Sequence, residues 1–192
     1  SQLARLLADV QTLYFAFGRH PEVEPRLQGV LAGLRAGRKA QLGPTALLDP
    51  APLLAEARLL KSEEELALMR HGAAITGEAH VAAMSQVRPG MFENEIQALV
   101  EYTFRRRGAW GWAYPSIVGG GANACVLHYV RNDGLLRDGD LMLIDAGAEI
   151  DGYATDVTRT SPVNGRFSGP QRALYELVLA AEREAIAAVR PG

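Results

Sequence analysis

The chain has 192 residues, 48% of them hydrophobic, with a formal net charge of −2 and a pI near 6.1, enough apolar content for one large domain or two small ones. Without a basic excess beyond Arg105-Arg106-Arg107 nucleic acid is not an expected partner, and no apolar run approaches the roughly 20 residues of a membrane span. The single cysteine, Cys125, forms no internal disulfide and fits a reducing, cytoplasmic setting; no signal peptide is recognisable, although a start at Ser1 is compatible with a lost leader.

In chain order, Leu3, Leu6, Leu7 and Val10 recur at helical spacing, and Thr12 to Phe17 is a β-rich aromatic run stopped by Gly18. A short helix and then a strand are expected. Pro21 suits a helix start, and Val23, Leu27, Val30, Leu31 and Leu34 form one apolar face before Gly37. Residues 38–52, rich in proline, read as loop around a short strand at Ala46 to Leu48. His20, beside a proline at an exposed turn, reads as solvated.

Ser62-Glu63-Glu64-Glu65 has the spacing of a capping box and opens a long helix towards Gln86, so the domain boundary is expected near Lys61. His71 and His80 lie about 900° of helical rotation apart, on opposite faces, and cannot chelate together. Pro89-Gly90 ends this helix. Ile96, Leu99, Val100 and Phe104 give the next one its buried stripe, and Arg105-Arg106-Arg107 complement the dipole of its last turn.

Residues 110–118 and 124–130 read as two strands separated by Gly119-Gly120-Gly121, with Leu127 and Tyr129 alternating against His128. The triple glycine permits close backbone approach. No lysine or helix start follows it, so it is not a phosphate loop. Taken alone, His128 reads as a strand histidine with a satisfied hydrogen bond, and Cys125 lacks a cationic neighbour that would make it a nucleophile.

The stretch Asp138 to Thr160, DGDLMLIDAGAEIDGYATDVTRT, reads as a hairpin with Asp151-Gly152 as a type I′ tip. If Ile150 pairs with Tyr153, then Thr158 lies opposite Asp145 and Asp156 opposite Gly147. Asp145 and Asp156 then share one face as diagonal neighbours, about 7–8 Å apart at Cα, with Gly147 leaving the space between them empty. A three-residue turn would instead put them on opposite faces. The bland reading is a strand-ending acid and a solvated one. Two like charges so close on an apolar ribbon must otherwise bind a proton or a cation, and hard carboxylate oxygens suit Mn²⁺, Mg²⁺ or Zn²⁺.

Ser168-Gly169-Pro170-Gln171 starts a last helix by capping-box spacing, with Leu174, Leu177, Val178 and Ala181 on one face. It ends in Val189-Arg190-Pro191-Gly192, the same four letters as Val87-Arg88-Pro89-Gly90, which suggests an internal duplication.

The segments YPSIVGGGANACVLHY at 114–129, LMLIDAGAEIDGYATDVTRT at 141–160 and PVNGRFSGPQ at 162–171 resemble the Xaa-Pro aminopeptidases, relatives of prolidase and methionine aminopeptidase. The resemblance implies an α+β fold. Residues 1–60 would be the end of a smaller α/β N-terminal domain, and 61–192 the first half of a pita-bread catalytic domain. It implies that Asp145 and Asp156 are two of five ligands to two divalent metal ions, Mn²⁺ first, with Zn²⁺ or Co²⁺ as alternatives. The other ligands, a histidine and two glutamates, belong to a second half that is not in this sequence, so these 192 residues alone are expected to be inactive.

By the same resemblance His128 is catalytic and substrate-binding, and a hydroxide bridging two metals attacks the scissile carbonyl. The substrate is a peptide with proline at its second position, and the complete enzyme could be a homo-oligomer. The rival readings are a prolidase acting on dipeptides, and a non-catalytic or metal-free creatinase-like protein on the same fold.

Overall fold

A computed structural model describes residues 2–36 and 43–191. The expected helix stop at Gly37, the loop residues 38–42 and the glycine of the second Val-Arg-Pro-Gly lie outside the described residues. Packing divides the chain into two units, Ser1–Ser62 and Glu63–Gly192.

In the first unit, α1 (Gln2–Leu7) leads into β1 (Thr12–Tyr14), α2 (Glu24–Ala36), β2 (Ala46–Leu48) and α3 (Ala51–Leu59). The two strands run parallel, Thr12 opposite Ala46, and Leu7, Leu27, Leu31 and Leu34 bury together. Helix α2 begins three residues after Pro21, and His20 is exposed. Helix α3 begins inside the expected loop. Pro52 fits its first turn, where a backbone N–H has no intrahelical partner to lose, and the Ala51 N–H donates to Asp49 Oδ1 at 2.9 Å.

The second unit packs α4 (Glu63–Gln86) and α5 (Glu93–Arg106) on two small antiparallel sheets. One sheet has the order β4 (Ile117–Gly120), β5 (Leu141–Ala146), β8 (Val157–Pro162). The other is β3 (Gly111–Trp112), β6 (Ala148–Ile150), β7 (Tyr153–Ala154). Ala79, Ala83, Ile96, Val100 and Phe104 from the helices form one core with Val118, Met142, Ile144 and Ala146 from the strands. Along β5 burial alternates, so Asp145 lies on the face turned away from that core.

Asp151 (φ 48°) and Gly152 (φ 81°) both take the left-handed conformation of a type I′ turn. Ile150 opposes Tyr153 and Asp145 opposes Thr158, the register expected from the Asp-Gly tip. The ribbon breaks at Gly147, where the strands pass from one sheet to the other. The space beside Gly147 is not empty as the sequence suggested. A Cβ there would stand 1.7 Å from the Thr155 carbonyl oxygen, so the glycine is required by main chain rather than by room for a ligand.

Hydroxyls fix this break. Thr155 Oγ1 donates to the Ala148 carbonyl at 2.8 Å, while the Ala148 N–H reaches Thr155 Oγ1 at 2.9 Å and Thr76 Oγ1 at 3.1 Å. With the Thr155 proton so committed, the 2.7 Å contact between the two threonines has Thr76 as donor.

Residues 124–130 are not a strand. Gly121–Cys125 form a 3₁₀ turn, and an exposed turn carries His128 at φ 55°. The alternation that suggested a strand has no burial behind it, since Leu127 is 86% exposed. The triple glycine does bring main chain close: a Cβ on Gly119 would lie 2.9 Å from the Ala124 nitrogen.

Helix α6 (Gly169–Ala188) has both bonds of the Ser168/Gln171 capping box. None of its residues is buried, and Leu174, Leu177 and Val178 are each at least 60% exposed.

Gly147→Ala is expected to destabilise the fold by about 3 kcal/mol, because overpacking against fixed main chain has no side chain to relax. Chemical denaturation measures it. A variant within about 0.5 kcal/mol of the parent, the size of an ordinary surface change, would contradict the required close approach.

Candidate functional site

The break at Gly147 sets two carboxylates beside one phenol. Asp145 is the penultimate residue of β5, and Asp156 stands between β7 and β8. The Tyr114 hydroxyl lies 2.6 Å from Asp145 Oδ1 and 2.9 Å from Asp156 Oδ1, so these oxygens are separated by no more than the sum of the two distances. Both carboxyl groups are therefore on one side of the ribbon. Tyr114 has one proton to share between two acceptors and, being neutral, offsets neither carboxylate charge.

Burial first, then the hydrogen bonds to Asp145 and Asp156, hold the Tyr114 phenol far above its ordinary range. It stays a neutral donor. A pocket of about 420 Å³ opens here, lined by Tyr114, Pro115, Ile117, His128, Val130, Asp145 and Asp156. His128 thus shares a cavity wall with both aspartates although the chain places it on a different element. A second, apolar cleft of similar volume between β8 and α6, lined by Leu174, Val178 and Leu179, contains neither aspartate.

The donor set suits part of a hard-cation site. Two carboxylates with an unbalanced charge meet one another across a cavity, as a divalent ion requires. Among the described residues no group of three or more His, Cys, Asp or Glu side chains could hold a metal. Asp145 and Asp156 would then hold such an ion only together with further ligands, since first-row metals take four to six.

Two polar residues, one at the site and one in the segment that leads to His128, were missed by the sequence reading. Tyr114 has no spacing relation to either aspartate. Glu93, on the first turn of α5, is only 1% exposed and accepts from four donors in the segment 120–134. The buried His80 donates from Nε2 to the Ala146 carbonyl, 3.3 Å away, and burial depresses its pKa, so it is a neutral packing histidine. His71 is exposed and far from the site in helical phase.

A sequence model of metallopeptidase family M24 matches residues 67–192. The chain is 43% identical to the Xaa-Pro aminopeptidase of Escherichia coli (strain K12) over 100% of its own length and 44% of the relative's. Among solved structures, proline aminopeptidase P II from Yersinia pestis superposes with a TM-score of 0.94 at 46% identity, covering 100% of this chain and 44% of that one. Zinc-substituted E. coli aminopeptidase P in complex with product gives 0.94 at 43%, with the same coverage. The expected α+β class therefore stands, as the pita-bread fold of those structures. The chain spans less than half the length of these relatives.

Tyr114→Phe is expected to lower stability in chelator by about 1–2 kcal/mol. Hydrogen bonds to charged groups contribute about 1.5–3 kcal/mol, and water reaching the exposed Asp156 offsets part of that. Equilibrium denaturation with EDTA reads it, and an unchanged midpoint would show that the phenol is incidental.

Proposed function

The chain belongs to metallopeptidase family M24, and on that premise we propose that the full-length protein is an Xaa-Pro aminopeptidase, removing the residue that precedes a proline. The observation that carries this reading is the pair of carboxylates converging on one hydroxyl in a cavity shared with His128. A metal-free protein on the same fold would leave that like-charged pair without a role. We also propose residues 1–60 as the end of an N-terminal domain and 61–192 as the first half of the catalytic domain.

Asp145 and Asp156 would hold two divalent ions, with Mn²⁺ as the proposed native metal. When bound, such ions polarise a carbonyl and acidify water. The chain's own residues do the rest. Tyr114 keeps the two carboxylates aimed at one point and, held neutral, cannot compete with them as an anionic ligand. His128, exposed at the pocket wall, is placed to donate to a substrate carbonyl as charge develops on its oxygen. Ile117, Pro115 and Val130 give that wall an apolar surface against which a pyrrolidine ring can pack. The lone, exposed Cys125 is in keeping with a cytoplasmic setting.

The test is cleavage of an Xaa-Pro tripeptide by the full-length protein with metal content measured in parallel. Mn²⁺-dependent release of the first residue is expected, and cleavage that survives complete metal removal would overturn the proposal. His128→Ala should lower kcat on the order of 10²–10³ with metal content intact, the usual cost of losing one donor to developing charge. Parallel loss of metal would make His128 a ligand instead. Asp145→Asn should abolish metal binding and activity together. The 192-residue chain by itself should bind Mn²⁺ weakly in calorimetry and cleave nothing, because two carboxylates are too few donors.

A further inference from the structure

We propose that Glu93 is a positioning residue for His128, holding the turn that carries it at the pocket wall; this rests on reading His128 as a substrate-contacting group. The turn has little else to hold it. Cys125, Val126, Leu127 and His128 are all exposed, and His128 adopts φ 55°, a conformation that costs a non-glycine residue energy. Hydrophobic burial does not fix this segment.

A polar ring does. The Glu93 carboxylate accepts the Gly120 N–H at 2.8 Å and Asn123 Nδ2 at 2.9 Å on one oxygen, and the Tyr129 hydroxyl and the Gly134 N–H, both at 2.7 Å, on the other. Asn123 Nδ2 also donates to Tyr129 Oη at 3.0 Å, closing the ring across the two residues that flank the turn. Tyr129 lies nearer to Glu93 than to Asp133, whose 3.2 Å contact is peripheral and whose carboxylate is engaged by Arg131 at 2.6 Å. Both ends of the turn are thereby tied to the first turn of α5, a rigid element whose Ile96, Val100 and Phe104 are fully buried.

The geometry needs an ionised carboxylate. Burial opposes the charge on Glu93, but the donors from Asn123, Gly120, Tyr129 and Gly134 outweigh it and hold the carboxyl below its ordinary range. The helix N-terminus favours the same charge. Space allows nothing larger nearby: a Cβ on Gly134 would stand 2.6 Å from Asn123 Nδ2 and 2.8 Å from Glu93 Oε1. A neutral amide at position 93 must present an N–H towards donors, so Gln cannot satisfy all four.

Cys125, the single cysteine of these 192 residues and exposed within the turn, offers a probe in the full-length protein once any cysteine elsewhere is replaced by serine. A nitroxide attached to it should report slow, restricted motion in the parent, and a dominant fast component in Glu93→Gln, Asn123→Ala and Tyr129→Phe. In the unlabelled full-length protein the same variants should lower kcat about tenfold or more, with KM changing less and metal content unchanged, because displacing His128 forfeits part of the stabilisation one donor gives. Tyr129→Phe removes a single hydroxyl and keeps the test open if Glu93→Gln fails to fold. Unchanged label motion in Tyr129→Phe and Asn123→Ala would overturn the proposal, as would freed motion with unchanged kcat. A parent that cleaves no Xaa-Pro peptide would sink the aminopeptidase reading instead, while the label still decides whether Glu93 anchors the turn.

Discussion

Two like-charged carboxylates facing one phenolic proton is the constraint on which the second unit of this chain is built. Such a pair is costly unless a cation joins it, and the surrounding structure spends several specific interactions on keeping the pair together. The type I′ tip sets the register, the glycine at 147 lets Thr155 main chain approach, and the Thr76 and Thr155 hydroxyls bind the main chain of Ala148 at the break. Each of these steps is local. Their joint result is that Asp156, eleven positions after Asp145, returns to the same hydroxyl.

A second polar centre, we propose, governs the part of the cavity lining that His128 supplies. Where the aspartates are held by a β ribbon over an apolar core, His128 is carried by an exposed turn whose order comes from Glu93. The two centres differ in character. Asp145 and Asp156 share one donor and are left with charge to spare, whereas Glu93 has four donors and a fully compensated charge. An under-compensated carboxylate pair invites a ligand, and a compensated carboxylate holds structure. The distinction separates the two kinds of acidic site without reference to any relative.

Much of this was legible in the sequence because it is carried by short-range chemistry. Asp151-Gly152 fixed the hairpin and hence the facing of the aspartates, and Ser62, Pro89-Gly90 and Ser168 with Gln171 marked helix ends through capping and turn preferences. The failures have a common physical source. Leu127 and Tyr129 alternate with His128 as in a strand, yet alternation signals a strand only when one face is buried, and Leu127 is in solvent. Helix α3 was hidden by prolines that a first turn tolerates. Tyr114 and Glu93 act across 31 and 27 or more residues of sequence, where no periodicity connects donor and acceptor. The emptiness imagined beside Gly147 was a side-chain argument, and main chain fills the space.

The central claim is that Asp145 and Asp156 are ligands to the same divalent metal centre. Crystals of the full-length protein grown with Mn²⁺ and measured for anomalous scattering test it most directly. The account predicts an anomalous peak about 2.0–2.2 Å from a carboxylate oxygen of each aspartate. Metal bound elsewhere, with both carboxylates still engaged only by Tyr114, would contradict it.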